Sequence, residues 1–183
     1  MKLSEHKELK SEILALPQKE KDKLLLRLIA RDKVLTEHLH FSLLETEEHL
    51  SDRVALIKEE ITSSDHNFTA AKDVLVDLRK LIKLINHFLK VTKSNFEDVE
   101  LRIFLLNHTT IEFKKRTYSS FKNYEQLFAV FFVKSVSATI KKFEKLHEDL
   151  QFDLREDLNK LLSKVQDKSM ASIASDLGLP KQI

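Results

Sequence analysis

Residues 74–89 read VLVDLRKLIKLINHFL, and the spacing of their apolar side chains decides what kind of protein this is. Val74, Leu75, Leu78, Leu81, Ile82, Ile85, Phe88 and Leu89 recur at intervals of three and four, the period of one helix face, with no trace of the alternation a half-buried strand shows. The apolar stripe also spreads onto its flank. A helix of that breadth must touch neighbours on two sides, so the stretch predicts a long central helix running from a cap at Asn67 or Thr69 to about Val91.

Glycine carries the same reading to the rest of the chain. There is one, Gly178, and no Asn-Gly or Asp-Gly pair occurs, which disfavours tight two-residue hairpins and a fold of many short strands. Phosphate-cradling loops, dinucleotide fingerprints and the nucleophile elbow all need glycine where backbone turns sharply or approaches a ligand, so those enzyme classes are excluded. The expectation is an all-α protein of about nine helices in one domain spanning 1–183. Two arrangements fit: stacked antiparallel helix pairs in a short superhelix, toward which the short N-terminal helices tilt the reading, or an irregular bundle.

Working toward the N-terminus, a helix behind Thr46 carries Leu50, Val54, Ile57 and Ile61 and dissolves into TSSDHN. Before it stand Lys33 to Glu45, Pro17 to about Asp32, and Ser4 to Leu16, with Pro17 opening its helix because proline suits the first helical position and disfavours helical dihedrals just before it. Toward the C-terminus, Ser94 and Glu97 have capping-box spacing ahead of a helix with RIFLL as its buried middle. Tyr124 to Leu150 and Asp153 to Val165 follow, with a break between Asp149 and Asp153. A last short helix, SMASIASDL, stops at Gly178-Leu179-Pro180.

Cysteine is absent, which removes disulfides, thiolate nucleophiles and Cys-based zinc sites and suits a reducing cytoplasm. The start, MKLSEHKELK, lacks the apolar core of a secretory signal. The longest apolar run, Leu127 to Val133, is about a third of the ~20 residues a membrane-spanning helix needs. A cytoplasmic protein without a membrane partner or cofactor is the expectation.

Two Glu-x-x-His pairs, Glu37 with His40 and Glu144 with His147, have the helical spacing by which di-iron bundles supply carboxylate and imidazole, and Glu8 and Glu112 lie upstream of each. Chance supplies about 0.7 such pairs in a chain of this composition, so the motif is weak. Pro17 also cuts the N-terminal region into helices too short for that architecture. The expectation is no metal site.

Charge is more informative. The formal net charge is +2, but its distribution is uneven. Between Phe113 and Lys142 stand Lys114, Lys115, Arg116, Lys122, Lys134, Lys141 and Lys142 against Glu125 alone, and Arg79 to Lys93 holds five cations and no acid. Glu45 to Asp65 has seven acids against Arg53 and Lys58. The stretch FKKRTYSSFKNY, 113–124, supplies Lys114, Lys115, Arg116 and Lys122 as candidate anion contacts, with Tyr118 and Tyr124 available for stacking. A plainer account competes: Lys114 to Arg116 suit the C-terminus of a helix begun at Asn95, and Ser119 and Ser120 suit the N-cap of the next. Phe121, Tyr124, Phe128 and Phe131, with Phe132, Val136, Ile140 and Phe143 beside them, have helical core spacing.

These observations favour a non-enzymatic helical module that binds another protein or its own copy. The rival readings are binding of nucleic acid or another polyanion through 79–93 and 113–142, and a dimetal carboxylate enzyme.

Overall fold

A computed structural model describes residues 3–64, 70–113, 123–166 and 170–183. These form nine α-helices and no β-strand: α1 Lys7–Ala15, α2 Gln18–Ile29, α3 Lys33–Leu44, α4 Glu47–Ser64, α5 Ala71–Thr92, α6 Asn95–His108, α7 Tyr124–Phe143, α8 Glu148–Val165 and α9 Ala171–Asp176. A single 3-10 turn, Leu3–Glu5, precedes α1. The chain is all-α, and its contacts divide it into two units, Met1–Leu44 and Glu45–Ile183.

In the larger unit α6 lies at the centre, packed against α4, α5, α7 and α8. The reason is in its side chains: Val99, Leu101, Ile103, Leu105 and Leu106 are all buried, so apolar groups point around most of the cylinder. The broad stripe of α5 does bind several neighbours, namely α4, α6 and α7, and Val74, Leu75, Leu78, Leu81, Ile85 and Phe88 are buried. Helices that surround a central one, with α5 reaching past α6 to α7, make an irregular bundle and not a row of stacked pairs. Phe128, Phe132, Val136, Ile140 and Phe143 enter this core, as their spacing implies.

Several helix ends differ from their expected chemistry. The capping candidates Asn67, Thr69, Ser119 and Ser120 lie outside the described residues. Asn123 caps α7, its Oδ1 accepting from the Gln126 amide at 3.0 Å. The Ser94 hydroxyl donates to the Glu97 carboxylate, so the two capping-box side chains bond each other without the hydroxyl reaching an amide. Helix α7 ends at Phe143 and α8 begins at Glu148, several residues before the expected break, because His147 Nδ1 accepts from the Asp149 amide and starts a new helix. At α9 the expected stop is present: Gly178 has φ +64°, and the Gly178 and Leu179 amides donate to Ser175 and Ala174 in a Schellman pattern.

The smaller unit is built differently. Pro17 precedes α2 as its N-cap, and Asp32 caps α3 by accepting from the Leu35 amide at 3.1 Å. The Thr36 hydroxyl donates back to the Ile29 carbonyl at 2.9 Å, tying α3 to the end of α2. Among its described side chains none is buried; Ile13, Leu16, Leu24, Ile29, Val34, Leu39 and Phe41 reach only partial burial.

Candidate interaction surfaces

The N-terminal helices carry leucine on their open side. Leu9 and Leu14 on α1, Leu25, Leu26 and Leu28 on α2, and Leu35, Leu43 and Leu44 on α3 are all exposed, Leu26 to 66% and Leu43 to 74%. On α2 Leu24, Leu25, Leu28 and Ile29 share one face, opposed by Lys19, Lys23 and Arg27. Most of the large exposed apolar side chains of the described protein are concentrated in its first quarter. Scattered exposed leucines are ordinary on a surface; a concentration on helices with no core of their own is not.

A second surface lies on the pair α5 and α7. The Lys72 ammonium stands over the Tyr124 ring at 5.8 Å and the Arg79 guanidinium over the Phe131 ring at 5.0 Å. Both contacts advance seven residues along each helix, so the two helices run parallel. Lys72, Arg79, Lys83 and Lys90 on α5 fall within an arc of about 40° at 100° per residue, and all four are exposed. Lys134 and Lys141 on α7, with Lys145 just past its end, form a second exposed row beside them. The described parts of two cation-rich stretches, far apart in sequence, therefore border one seam.

Beneath that seam is a buried charge cluster. Asp98, 1% exposed, accepts from Arg102 Nε at 3.0 and 3.1 Å and Nη2 at 2.9 Å, and from Lys142 Nζ at 2.7 Å. Arg102 Nη2 also donates to Asn86 Oδ1 at 2.6 Å. The cluster links α5, α6 and α7. Its i,i+4 acid–base spacing was visible in the sequence, but the burial was not, because only packing removes the water.

Two open clefts flank α6. In the larger, about 500 Å³, Lys58 is bonded to Glu100, Lys160 to Asp157, and Asn107 to the Asp157 carbonyl. Its polar groups are thus committed to one another. No described buried side-chain nitrogen or oxygen lacks a partner.

The sequence-predicted residues fare unevenly. Lys114, Lys115, Arg116 and Lys122, with Tyr118 and Phe121, lie outside the described residues. Helix α6 ends at His108, too early for Lys114 to Arg116 to serve its last turn. That cation comes instead from α8: Lys164 Nζ donates to the carbonyls of Leu106 at 3.1 Å, Asn107 at 2.8 Å and Thr109. Spacing within one helix cannot reveal such a partner.

The metal candidates are not one helical array. Glu144 is the C-cap of α7 and His147 the N-cap of α8, so they do not share a helix face. Glu8, Glu37 and His40 lie in the N-terminal unit, and among the described residues no group of three or more His, Asp or Glu side chains could hold a metal ion. No helix among them is long and apolar enough to cross a membrane.

No protein-family model, no curated protein and no solved structure matches the chain.

Proposed function

We propose that this chain is a non-enzymatic helical module that binds another protein through α1–α3. The observation that supports it is the smaller unit itself: three helices carrying eight exposed leucines, and no buried side chain among those described. Isolated helices of 9–12 residues are marginal in water, and the unit Met1–Leu44 is close to the size, about 40 residues, below which a chain rarely buries enough to hold itself together. Covering such leucines with a partner surface recovers about 2 kcal/mol for each one fully buried. Between residues 18 and 33 six cations stand against three acids, which fits an apolar groove rimmed by carboxylates.

The experiment is site-specific photo-crosslinking of the full chain in the cells that make it, with the reactive group at position 26 and, separately, at 43. A discrete protein adduct is expected at both positions, lost when Leu25 and Leu28 are changed to Ser and retained when Lys160 is changed to Glu. A smear, no adduct, or an adduct indifferent to the leucines would overturn the reading. An adduct of twice the chain mass would identify the partner as a second copy.

A further inference from the structure

The second surface, on α5 and α7, is independent of the leucine helices and of the reading built on them. We infer that the outer face of the α5–α7 pair is a docking strip for the phosphate backbone of duplex nucleic acid, gripped without regard to base sequence. The argument begins with register. Parallel packing, set by Lys72 on Tyr124 and Arg79 on Phe131, places the row Lys72, Arg79, Lys83, Lys90 alongside the row Lys134, Lys141, Lys145. Seven cations thereby share one face, although the whole chain is only +2.

No acid occurs between Arg79 and Lys93 on the α5 side of the strip or between Gln126 and Phe143 on the α7 side. Asp73 and Asp77 lie on the α4 side of α5, where Asp77 accepts from the Ser64 hydroxyl at 2.9 Å. Lys80, on that same side, is taken up by Glu60 at 2.7 Å and does not belong to the row. Asp98, which Lys142 of α7 reaches, is buried and answered by Arg102 and Lys142, and the exposed Glu144 stands only at the C-terminal end of α7. Among the described residues Lys83, Lys90, Lys134, Lys141 and Lys145 stand in no ion pair, so their charge is available to solvent and to a ligand.

The shape of the strip selects the partner. Lys72 to Lys90 is a straight run of about 27 Å at 1.5 Å per residue, and packed helix axes lie about 8–10 Å apart. Two parallel rows of long, mobile ammonium groups at that separation can meet the two backbones that border a groove of about 6–12 Å width. A single strand would need one row and open rings on which bases stack, whereas Tyr124 and Phe131 are half-buried beneath Lys72 and Arg79. Contacts made by long cationic side chains along the sides of two helices go to phosphate and carry no sequence information.

Fluorescence anisotropy of the full chain with a duplex of about 24 base pairs, across a salt series starting near 50 mM, tests this. The expected result is binding that weakens steeply with salt and is equal for two unrelated sequences. Lys83→Glu with Lys134→Glu should weaken it at least tenfold and lower the slope of log affinity against log salt by about 2. Lys160→Glu with Lys181→Glu removes the same net charge away from the strip and should leave both nearly unchanged. Circular dichroism of both variants confirms that these exposed substitutions leave the helices intact. Equal losses in the two variants, absence of duplex binding at the lowest salt, or tighter binding to single strands or phosphatidylserine vesicles than to duplex would each overturn the inference.

Discussion

Lys142 on α7 donates to the carboxylate of Asp98 on α6 at 2.7 Å, in a position where Asp98 is withdrawn from water and already held by Arg102. A buried carboxylate with two cationic partners is tolerable only while they remain. Removing one side of a buried ion cluster leaves charge without compensation, so Asp98→Ala is expected to destabilise the protein by about 3–5 kcal/mol. Urea unfolding followed by circular dichroism measures it; a change below about 1 kcal/mol would mean that the cluster is solvated. Lys142→Met should cost less, since Arg102 stays on the carboxylate.

Lys164 closes the C-terminal end of α6 from another helix. Lys164→Met keeps the apolar stem over Phe132 and removes the donor to the three carbonyls, for an expected loss of about 1–3 kcal/mol. Hydrogen exchange should rise first at the last turn of α6. Exchange that rises uniformly along the bundle would contradict a local cap.

Lys93, between α5 and α6, has φ +59° and no glycine to relieve it. Its amide still donates to the Leu89 carbonyl at 2.9 Å, so the turn is set by the helix reversal and not by the residue type. Lys93→Gly should stabilise by about 1 kcal/mol and raise the midpoint of thermal unfolding by several degrees. Lys93→Val should lower it.

Leucine exposure on α2 contrasts with burial in the bundle. Leu26→Ser is expected to change the stability of 45–183 by less than about 0.5 kcal/mol, whereas Phe132→Ala should cost about 3–5 kcal/mol. Denaturant midpoints of the two variants, read by near-ultraviolet dichroism of the ring-rich bundle, separate the cases.

The surface pair Lys80–Glu60 ties α5 to α4 at 2.7 Å, and the hydrogen bond to Glu60, ahead of its charge, raises the Lys80 ammonium above its ordinary value of 10.5. A raised folded-state value means that this contribution is present in full below 10.5 and is lost as pH climbs through the folded value. The unfolding midpoint of the wild-type protein should therefore fall more steeply above about pH 10 than that of Lys80→Met, and the difference between them should be flat from neutrality to about pH 9. A gap that closes in acid alone would point elsewhere.

Periodicity by itself determined the helices. Val74 to Leu89 and Phe128 to Phe143 declare their buried faces through intervals of three and four, and one glycine in the whole chain left little room for strands. Those are local properties, carried by neighbours within a turn or two. Helix ends were less legible where a side chain had a nearer choice: Ser94 took the Glu97 carboxylate, and His147 ended what pattern alone would continue from α7. The cation at the end of α6, the burial of Asp98, and the placing of the row with Lys83 beside the row with Lys134 along a parallel seam were decided only in three dimensions. Each depends on which helices lie side by side and in what direction, and no interval along one helix encodes its neighbour. The openness of α1–α3 has the same origin: the leucines were plain in the sequence, but that they lack a core of their own could be seen only when every helix had been placed within its unit.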